Sequence, residues 1–535
     1  MLSARTNATA APVPELHANV ISAEEAAARA QRVGVFPAAE LSRRARLFRA
    51  LEEVTGVRFA GARHAVDDVL ISFDEGRTHV SDHLPRGRVI SISTSHQAAR
   101  TGELEFAAGS PLRHLGGPHV AAPTLPDSNR AAGDVVASVD GIPVWLRGSD
   151  ERLLLTPREL DEGETLRDRL TSQERLPLIA LIEFLRDRGP APWMPPPHHA
   201  VFLFDDPNLH RRRYGFVDFE SLADCATANG YHAAFAMIPI DAWYASSGAV
   251  RLFRDRSDAL SLLIHGNDHV RRELGREIGP DAHRRALAQA LRRVARFERR
   301  YGIRVDRVMA PPHGACSRDA VDQMLVLGYE ALAISRSYPW QAAPPADDPA
   351  AGARPVESAA LGLPLILRTP IARADRQDLA LRTFLRQPLV LYGHHDDLAG
   401  GPEVLDAAAE VVRDVSGSDW TSLQAIARSR YQTRQTGDSL ELRLLSRRVE
   451  LQLPAGVESL IVSSARVLRE CDELKVAVGP NGRVVASVVA RDHVRPEAVS
   501  PPRPRPWPIA RRVLAETRDR VEPLRLRVRG VPKVG

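Results

Sequence analysis

The hydrophobic and polar positions of this chain follow two alternating patterns. Short apolar runs, such as VGVF (33–36), AVFLF (200–204) and PLVLY (388–392), are separated by stretches in which apolar residues recur every three or four positions. Such runs are typical of strands buried on both faces, and the longer spacing is typical of helices that bury one face. The clearest helix spans 282–301 and ends at Gly302. The alternation predicts a multidomain α/β protein with parallel sheets covered by helices.

Changes in this pattern divide the chain into five predicted segments. These are a flexible arm (1–30), an accessory α/β domain with an open, mostly parallel sheet (31–189), a distorted (β/α) barrel (190–430), a small β-sandwich (431–492) and a Pro/Arg-rich tail (493–535). Five prolines between Pro190 and Pro197 cannot continue a helix and mark the boundary before the barrel. The tail has too few apolar residues for a core, although a helix over 510–521 fits it.

The accessory domain resembles flavodoxin or the class I glutamine amidotransferases in its predicted order of elements. Glutaminase activity needs a cysteine nucleophile, and the first cysteine, Cys225, lies outside this domain. We therefore expect a scaffold or a recognition module.

Composition limits the classes of function. The 535 residues carry a formal net charge of only +5, so we expect no nucleic-acid partner. No apolar stretch approaches the length of a transmembrane helix, and the N-terminus lacks the apolar core of a signal peptide. We expect a cytoplasmic location with reduced thiols, because three distant cysteines form no disulfide framework. The oligomeric state stays open.

Acidic and histidine side chains follow the predicted barrel strands. Asp205 and Asp206 end the run FLFDD, and adjacent residues at a strand end point to opposite sides, so they can take different tasks. An aspartate before Pro-Asn is also common in turns and helix caps. His265 and His269 follow the run ALSLLI at a spacing that lets two imidazoles bind one cation, although isolated histidines are more often structural.

With these residues, 198–430 resembles the polysaccharide deacetylase family, carbohydrate esterase family 4, whose domain is a distorted (β/α) barrel. The family's Thr-Phe-Asp-Asp-Gly is similar to LFDDP, and its His-Ser/Thr-x-x-His is similar to HGNDH. The resemblance implies that Asp205 is the catalytic base. It also implies that Asp206, His265 and His269 bind a divalent metal, with Zn²⁺ as our first expectation.

Two further motifs extend the resemblance. The family's Arg-x-Pro-Tyr-Gly is similar to APPHG, which implies that Pro312, His313 and Gly314 line the substrate groove and offer a backbone amide to the oxyanion. The run VLYGHHDDL ends like the strand that carries the general acid, which is His394 or His395; strand alternation favours His394. Asn208 is a further candidate for binding substrate.

The chain departs from the family pattern at three positions. Pro207 replaces the glycine after the aspartates, Gly266 replaces the hydroxyl residue between the histidines, and Ala310 stands where the family has an arginine that orients the base. Another arginine, Arg368 or Arg336, is needed to take that task.

These observations predict a metal-dependent hydrolase that deacetylates an N-acetylated sugar in a polysaccharide or a glycan precursor. The alternative is a non-catalytic glycan-binding or assembly protein that keeps the barrel, and Ala310 is its best support. A third option is another metal-assisted hydrolysis at the same site, because a fold does not determine its substrate.

Overall fold

The computed structural model describes residues 17–30, 32–62, 69–73, 88–93, 98–123, 133–187, 193–358, 362–464, 467–469, 472–502 and 506–528. The first 16 residues of the predicted arm and the predicted boundary at 189–190 lie outside these ranges. The chain begins with strand β1 (His17–Val20) and helix α1 (Ala23–Ala28).

The accessory domain is built on a nine-stranded sheet. Its elements are β2 (Arg32–Phe36), α2 (Ala39–Arg43), α3 (Ala45–Thr55), β3 (Arg58–Gly61), β4 (Val69–Ser72), β5 (Val89–Ile92), β6 (Ala98–Phe106), β7 (Gly117–Pro123), β8 (Asp134–Val139), β9 (Ile142–Arg147), β10 (Glu151–Leu153), α4 (Leu166–Leu170) and α5 (Arg175–Asp187). The strand order is β3-β2-β4-β5-β10-β9-β8-β6-β7.

The prediction of a mostly parallel sheet is wrong for half of this domain. The pairings from β3 to β10 are parallel, but those from β10 to β7 are antiparallel. Short connections cause the difference, because they cannot hold the crossover that parallel strands need. In the β8–β9 turn, Asp140 and Gly141 both have positive φ (49° and 73°), as a type I′ hairpin requires.

The central domain is a closed parallel barrel. Its elements are β11 (His199–Asp205), β12 (Arg213–Tyr214), β13 (Val217–Asp218), α6 (Phe219–Asn229), β14 (Ala233–Met237), α7 (Ser247–Asp255), β15 (Leu260–Ile264), α8 (Pro280–Tyr301), β16 (Val305–Met309), α9 (Arg318–Val326), β17 (Ala331–Ile334), β18 (Glu357–Ser358), β19 (Pro364–Pro370), α10 (Arg376–Phe384), β20 (Leu389–Gly393), α11 (Asp406–Ser416), β21 (Asp419–Trp420) and α12 (Leu423–Arg428). Seven strands, in the order β11-β14-β15-β16-β17-β19-β20, close through the pairing of β20 with β11. The predicted (β/α) barrel is confirmed.

Side chains alternate between the inside and the outside of this barrel. The interior core contains Val201 and Leu203 of β11, Ile366 of β19 and Val390 of β20, and α12 closes one end with Leu423, Ile426 and Ala427. Two residues further along each strand, the same alternation places Asp205, Arg368 and Tyr392 at the opposite end of the barrel. We call this open end the mouth.

The C-terminal domain is the predicted β-sandwich. Its strands are β22 (Tyr431–Thr436), β23 (Ser439–Leu444), β24 (Arg448–Gln452), β25 (Ser459–Ser463), β26 (Asp472–Val478) and β27 (Arg483–Ala490). The sheets β1-β25-β23-β22 and β24-β27-β26 enclose one apolar core. Strand β1 contradicts a wholly flexible arm, because its residues pair in parallel with Ser459–Val462.

In the tail, the structure extends the predicted helix beyond 510–521 in both directions. Helix α13 (Pro506–Val528) has 23 residues and packs against the barrel. Charged side chains of α13 make its contacts with the barrel, so the helix is held without burying an apolar face. Among the described residues, no helix is long and apolar enough to cross a membrane.

Candidate metal centre at the barrel mouth

Three side chains from two strand ends converge at the mouth. Asp206 Oδ1 lies 3.5 Å from His265 Nε2 and 3.2 Å from His269 Nε2. Each of the three residues offers one ligand atom, and these atoms lie within 4.8 Å of one another. Asp206 Oδ1 is buried and has no hydrogen-bond partner among the described residues. A buried carboxylate oxygen facing two imidazole nitrogens fits a divalent cation. We call these residues the candidate metal centre.

The hydrogen bonds and charges of these residues suit ligation. His265 Nδ1 donates to Ala310 O (2.8 Å), which leaves Nε2 with the lone pair that a ligand needs. Burial lowers the pKa of His269 to about 4, so its imidazole is neutral near pH 7. Burial also lowers the pKa of His265, but Asp205 and Asp206 outweigh this effect and raise it overall. The carboxylates therefore favour a positive charge at this point, either a proton on His265 Nε2 or a cation that replaces this proton.

The backbone around the centre is held in an uncommon conformation. Asp206, His269 and His313 have φ values of 80°, 51° and 58°. Residues other than glycine rarely adopt this left-handed region, at a cost of about 1–3 kcal/mol each. The carboxylate of Glu273 stabilises the loop by accepting hydrogen bonds from the amides of Asn267, Asp268 and His269.

The same loop explains the glycine between the two histidines. Gly266 has φ of 64°, and a Cβ at this position would overlap Glu273 Oε1 and Pro312. A serine or threonine, as in the family motif, therefore does not fit this backbone.

Asp205 is contacted by an arginine from another strand. Arg368 on β19 donates from one Nη to both oxygens of Asp205, at 3.0 and 2.9 Å. Both residues are buried, with 3% and 4% of their surface exposed, so the pair is shielded from water. The guanidinium also lies over the ring of Tyr392, 4.2 Å from its centroid. Of the two arginines considered from the sequence, Arg336 is exposed and Arg368 makes the contact.

The structure separates the two candidate acids. His394 is exposed, and its amide donates to Asp397 Oδ2 (2.8 Å) at the start of a short 3₁₀ helix. His395 is buried against the rings of Tyr214 and Phe216, with centroid distances of 5.7 and 5.9 Å. His394 is therefore accessible to a substrate, whereas His395 is packed against aromatic rings.

The predicted substrate residues lie in two loops. His313 is exposed next to His269, with 5.0 Å between ring centroids, while Pro312 is buried and Gly314 half-buried beside it. Asn208 is only 1% exposed, and its Oδ1 accepts from the amide of His210 (3.2 Å). The structure therefore brings His313 to the centre, whereas Asn208 holds its own loop.

Helix α13 forms one wall of the mouth, a contact that the apolar pattern of the sequence does not predict. Arg511 donates to His269 O (2.8 Å), and Arg512 pairs with buried Asp241 (2.7 Å) and approaches Asp206 O (3.5 Å). The helix thus contacts the backbone of two of the three residues in the candidate metal centre.

The rest of the helix continues this charged contact. The hydroxyl of Tyr214 donates to Asp519 (2.9 Å), and Glu516 pairs with His210 (3.0 Å). Asp519 also lies within 4.8 Å of a ring nitrogen of His395. Charged residues at 512, 516 and 519 follow helical spacing, and this stripe was the available sequence signal.

Known proteins resemble part of this chain in structure and not in sequence. No protein-family model and no curated protein matches the sequence. A family 4 carbohydrate esterase from Streptomyces lividans in complex with acetate is 15% identical, with 41% of this chain and 87% of that chain covered and a TM-score of 0.24. A family 4 acetyl xylan esterase from Clostridium thermocellum in complex with a cobalt ion is 13% identical, with 43% and 89% covered and a TM-score of 0.26. A family 4 pseudoenzyme from Bacillus anthracis is 15% identical, with 46% and 72% covered and a TM-score of 0.26. At these identities and TM-scores the likeness says nothing about activity.

Proposed function

We propose that this protein is a metal-dependent hydrolase that removes the acetyl group from an N-acetylated sugar. The observation that carries the proposal is the convergence of Asp206, His265 and His269 beside the buried pair of Asp205 and Arg368. Two imidazoles and one carboxylate would hold a divalent cation and leave positions for water and a substrate oxygen. Zinc suits these nitrogen and oxygen donors best, and other first-row cations are compatible. The sugar substrate rests on the motifs LFDDP, HGNDH and APPHG.

When bound, the cation would polarise the acetyl carbonyl and make water easier to deprotonate. Asp205 is the base that accepts the proton of the attacking water. Arg368 keeps the Asp205 carboxylate in one orientation, because it engages both oxygens from inside the barrel. This partner replaces the arginine that the family motif has at the position of Ala310.

The loop 311–315 supplies the donor for the oxyanion. The amides of Gly314 and Ala315 already donate to Pro311 O and Pro312 O, so the His313 amide is our candidate donor. His394 or His395 protonates the leaving amine, and each lies at the end of β20.

Acetate release tests the proposal. We expect metal-loaded protein to release acetate from an N-acetylglucosamine oligosaccharide, and we expect Asp205→Asn to lower the rate by about 10²- to 10⁴-fold. Metal content should be unchanged in Asp205→Asn, because Asp205 is not one of the three ligands. His493→Ala, which changes an exposed histidine after β27, is the matched control and should keep full activity. Unchanged acetate release by Asp205→Asn would refute the proposal.

The alternative was a glycan-binding protein without turnover. Its support was the absence of an arginine before PPHG, but Arg368 contacts Asp205 from another strand. Binding of an acetylated oligosaccharide without acetate release, in metal-loaded protein, would favour this alternative again.

A further inference from the structure

Helix α13 is amphipathic in the opposite sense to most surface helices. The side that faces the barrel carries Arg512, Glu516 and Asp519. The side that faces solvent carries apolar side chains with large exposed fractions: Trp507 (65%), Ile509 (57%), Val513 (55%) and Leu514 (67%). A helix normally buries its apolar side and exposes its charges. The solvent-facing side of α13 is therefore an apolar surface that no other described residues bury.

The barrel extends this apolar surface. Trp243 and Tyr244 are 65% and 41% exposed, with 5.7 Å between their ring centroids. Trp243 lines one cavity together with Ile509 and Val513. We call Trp243, Tyr244, Trp507, Ile509, Val513 and Leu514 the apolar patch. It holds six of the thirteen large hydrophobic side chains that are strongly exposed among the described residues, so the exposure is concentrated in one place.

Arginine side chains border the patch, and the two acidic residues that line the same cavity, Asp241 and Glu516, are paired with Arg512 and His210. On α8, Arg296 lines the cavity and Arg300 donates to Trp243 O. On α13, Arg511 and Arg518 lie about one helical turn before and after Leu514. Residues 503–535 contain ten Arg and Lys against three Asp and Glu, an excess of seven positive charges. The whole chain has an excess of only five, so residues 1–502 carry slightly more negative than positive charge. The net positive charge of the chain thus comes from the segment that contains α13.

We propose that the apolar patch docks on a lipid surface with anionic headgroups. Tryptophan is favoured at the boundary between headgroups and acyl chains, and arginine can reach the phosphates while its methylene groups stay in apolar surroundings. A basic helix with one apolar face lies in the plane of such an interface. A second copy of the chain is a poorer occupant, because apposing two identical patches would bring their arginines together.

Docking of α13 on a lipid surface would also affect the position of the barrel mouth. Because Arg511 and Arg512 contact the backbone of His269 and Asp206, a docked α13 places the mouth of the barrel next to the lipid. Docking needs no catalysis, so it stands or falls separately from the proposed deacetylation.

Vesicle flotation tests the proposal. We expect the full chain to bind vesicles that contain phosphatidylglycerol, to bind pure phosphatidylcholine at least about tenfold less, and to dissociate at high salt. The double variant Trp507→Ser/Leu514→Ser should bind about tenfold or more weakly, because each side chain contributes buried apolar area. Val404→Ser/Leu468→Ser removes two exposed apolar side chains elsewhere and should bind like the wild type. Thermal unfolding and circular dichroism check that both double variants fold.

Three results would overturn the proposal. The first is no binding of the wild type to anionic vesicles. The second is equal binding by folded Trp507→Ser/Leu514→Ser. The third is a concentration-dependent dimer in size-exclusion chromatography that this variant abolishes, since the patch would then be covered by a second copy.

Discussion

Replacing Arg368 by methionine removes the partner of Asp205 while keeping most of the side-chain volume. The two residues are 3% and 4% exposed and are joined at 3.0 and 2.9 Å, so Asp205 would keep a charge in a nearly dry position. Breaking a buried pair from one side typically costs about 3–5 kcal/mol. We expect Arg368→Met to lower the free energy of unfolding by an amount in that range, measured by urea denaturation at pH 7.

A double-variant cycle identifies the cause of this loss. Asp205→Asn removes the charge that Arg368 balances, so Arg368→Met should cost at least about 2 kcal/mol less in the Asp205→Asn background. Arg368→Lys keeps the charge but has a smaller head group, so we expect it to be more stable than Arg368→Met and still slow in acetate release. A cost below about 1 kcal/mol for Arg368→Met, or equal costs in both backgrounds, would refute the idea that this pair is coupled.

Three further predictions concern the loop of the candidate metal centre, the end of the barrel that α12 covers, and the general acid. Gly266→Ser should lower the free energy of unfolding by about 1–3 kcal/mol in urea denaturation and weaken zinc binding in calorimetry, because the left-handed φ and the crowded Cβ position exclude a side chain; wild-type values for both would contradict this. Burial raises the pKa of Asp306 from 3.8 to about 6, so the folded state binds this proton more tightly than the unfolded state. The resulting stabilisation of the folded state is fully present below about pH 4 and is lost as pH rises through 6. Asp306→Asn should therefore be more stable than the wild type at pH 8, by at most about 3 kcal/mol, with the difference vanishing near pH 4; a difference independent of pH would refute the assignment. One of the variants His394→Ala and His395→Ala should remove the general acid. That variant should lose acetate release while keeping its full metal content, and its pH–rate profile should lack the fall in rate at alkaline pH. Full activity in both variants would exclude the end of β20 as the source of the acid.

The barrel and the order of its candidate site residues along the chain could both be predicted from the sequence. Apolar runs locate the strands, and parallel strands bring their carboxyl ends to one edge, so Asp206 and His265 were expected to meet although 59 positions separate them. The structure places these residues together with His269. The local conformation was not predictable, because a left-handed φ at Asp206 depends on the packing of the whole loop.

Two features could not be derived because they depend on contacts between distant segments. Arg368 was one of two candidates, and only the closed barrel shows that it shares an interior layer with Asp205. The tail was expected to have too few apolar residues for a core, and four large apolar side chains of α13 are indeed exposed. The helix packs against the barrel through Arg512 and Asp519 instead. Patterns of apolar residues do not detect a contact made by charges.

The central claim is that Asp206, His265 and His269 bind one divalent cation. The most direct test is elemental analysis of purified wild type and of His265→Ala after zinc loading and dialysis. We predict about one zinc per chain in the wild type and a loss of at least about tenfold in His265→Ala, with His493→Ala unchanged. Equal zinc content in the wild type and in folded His265→Ala would contradict the account.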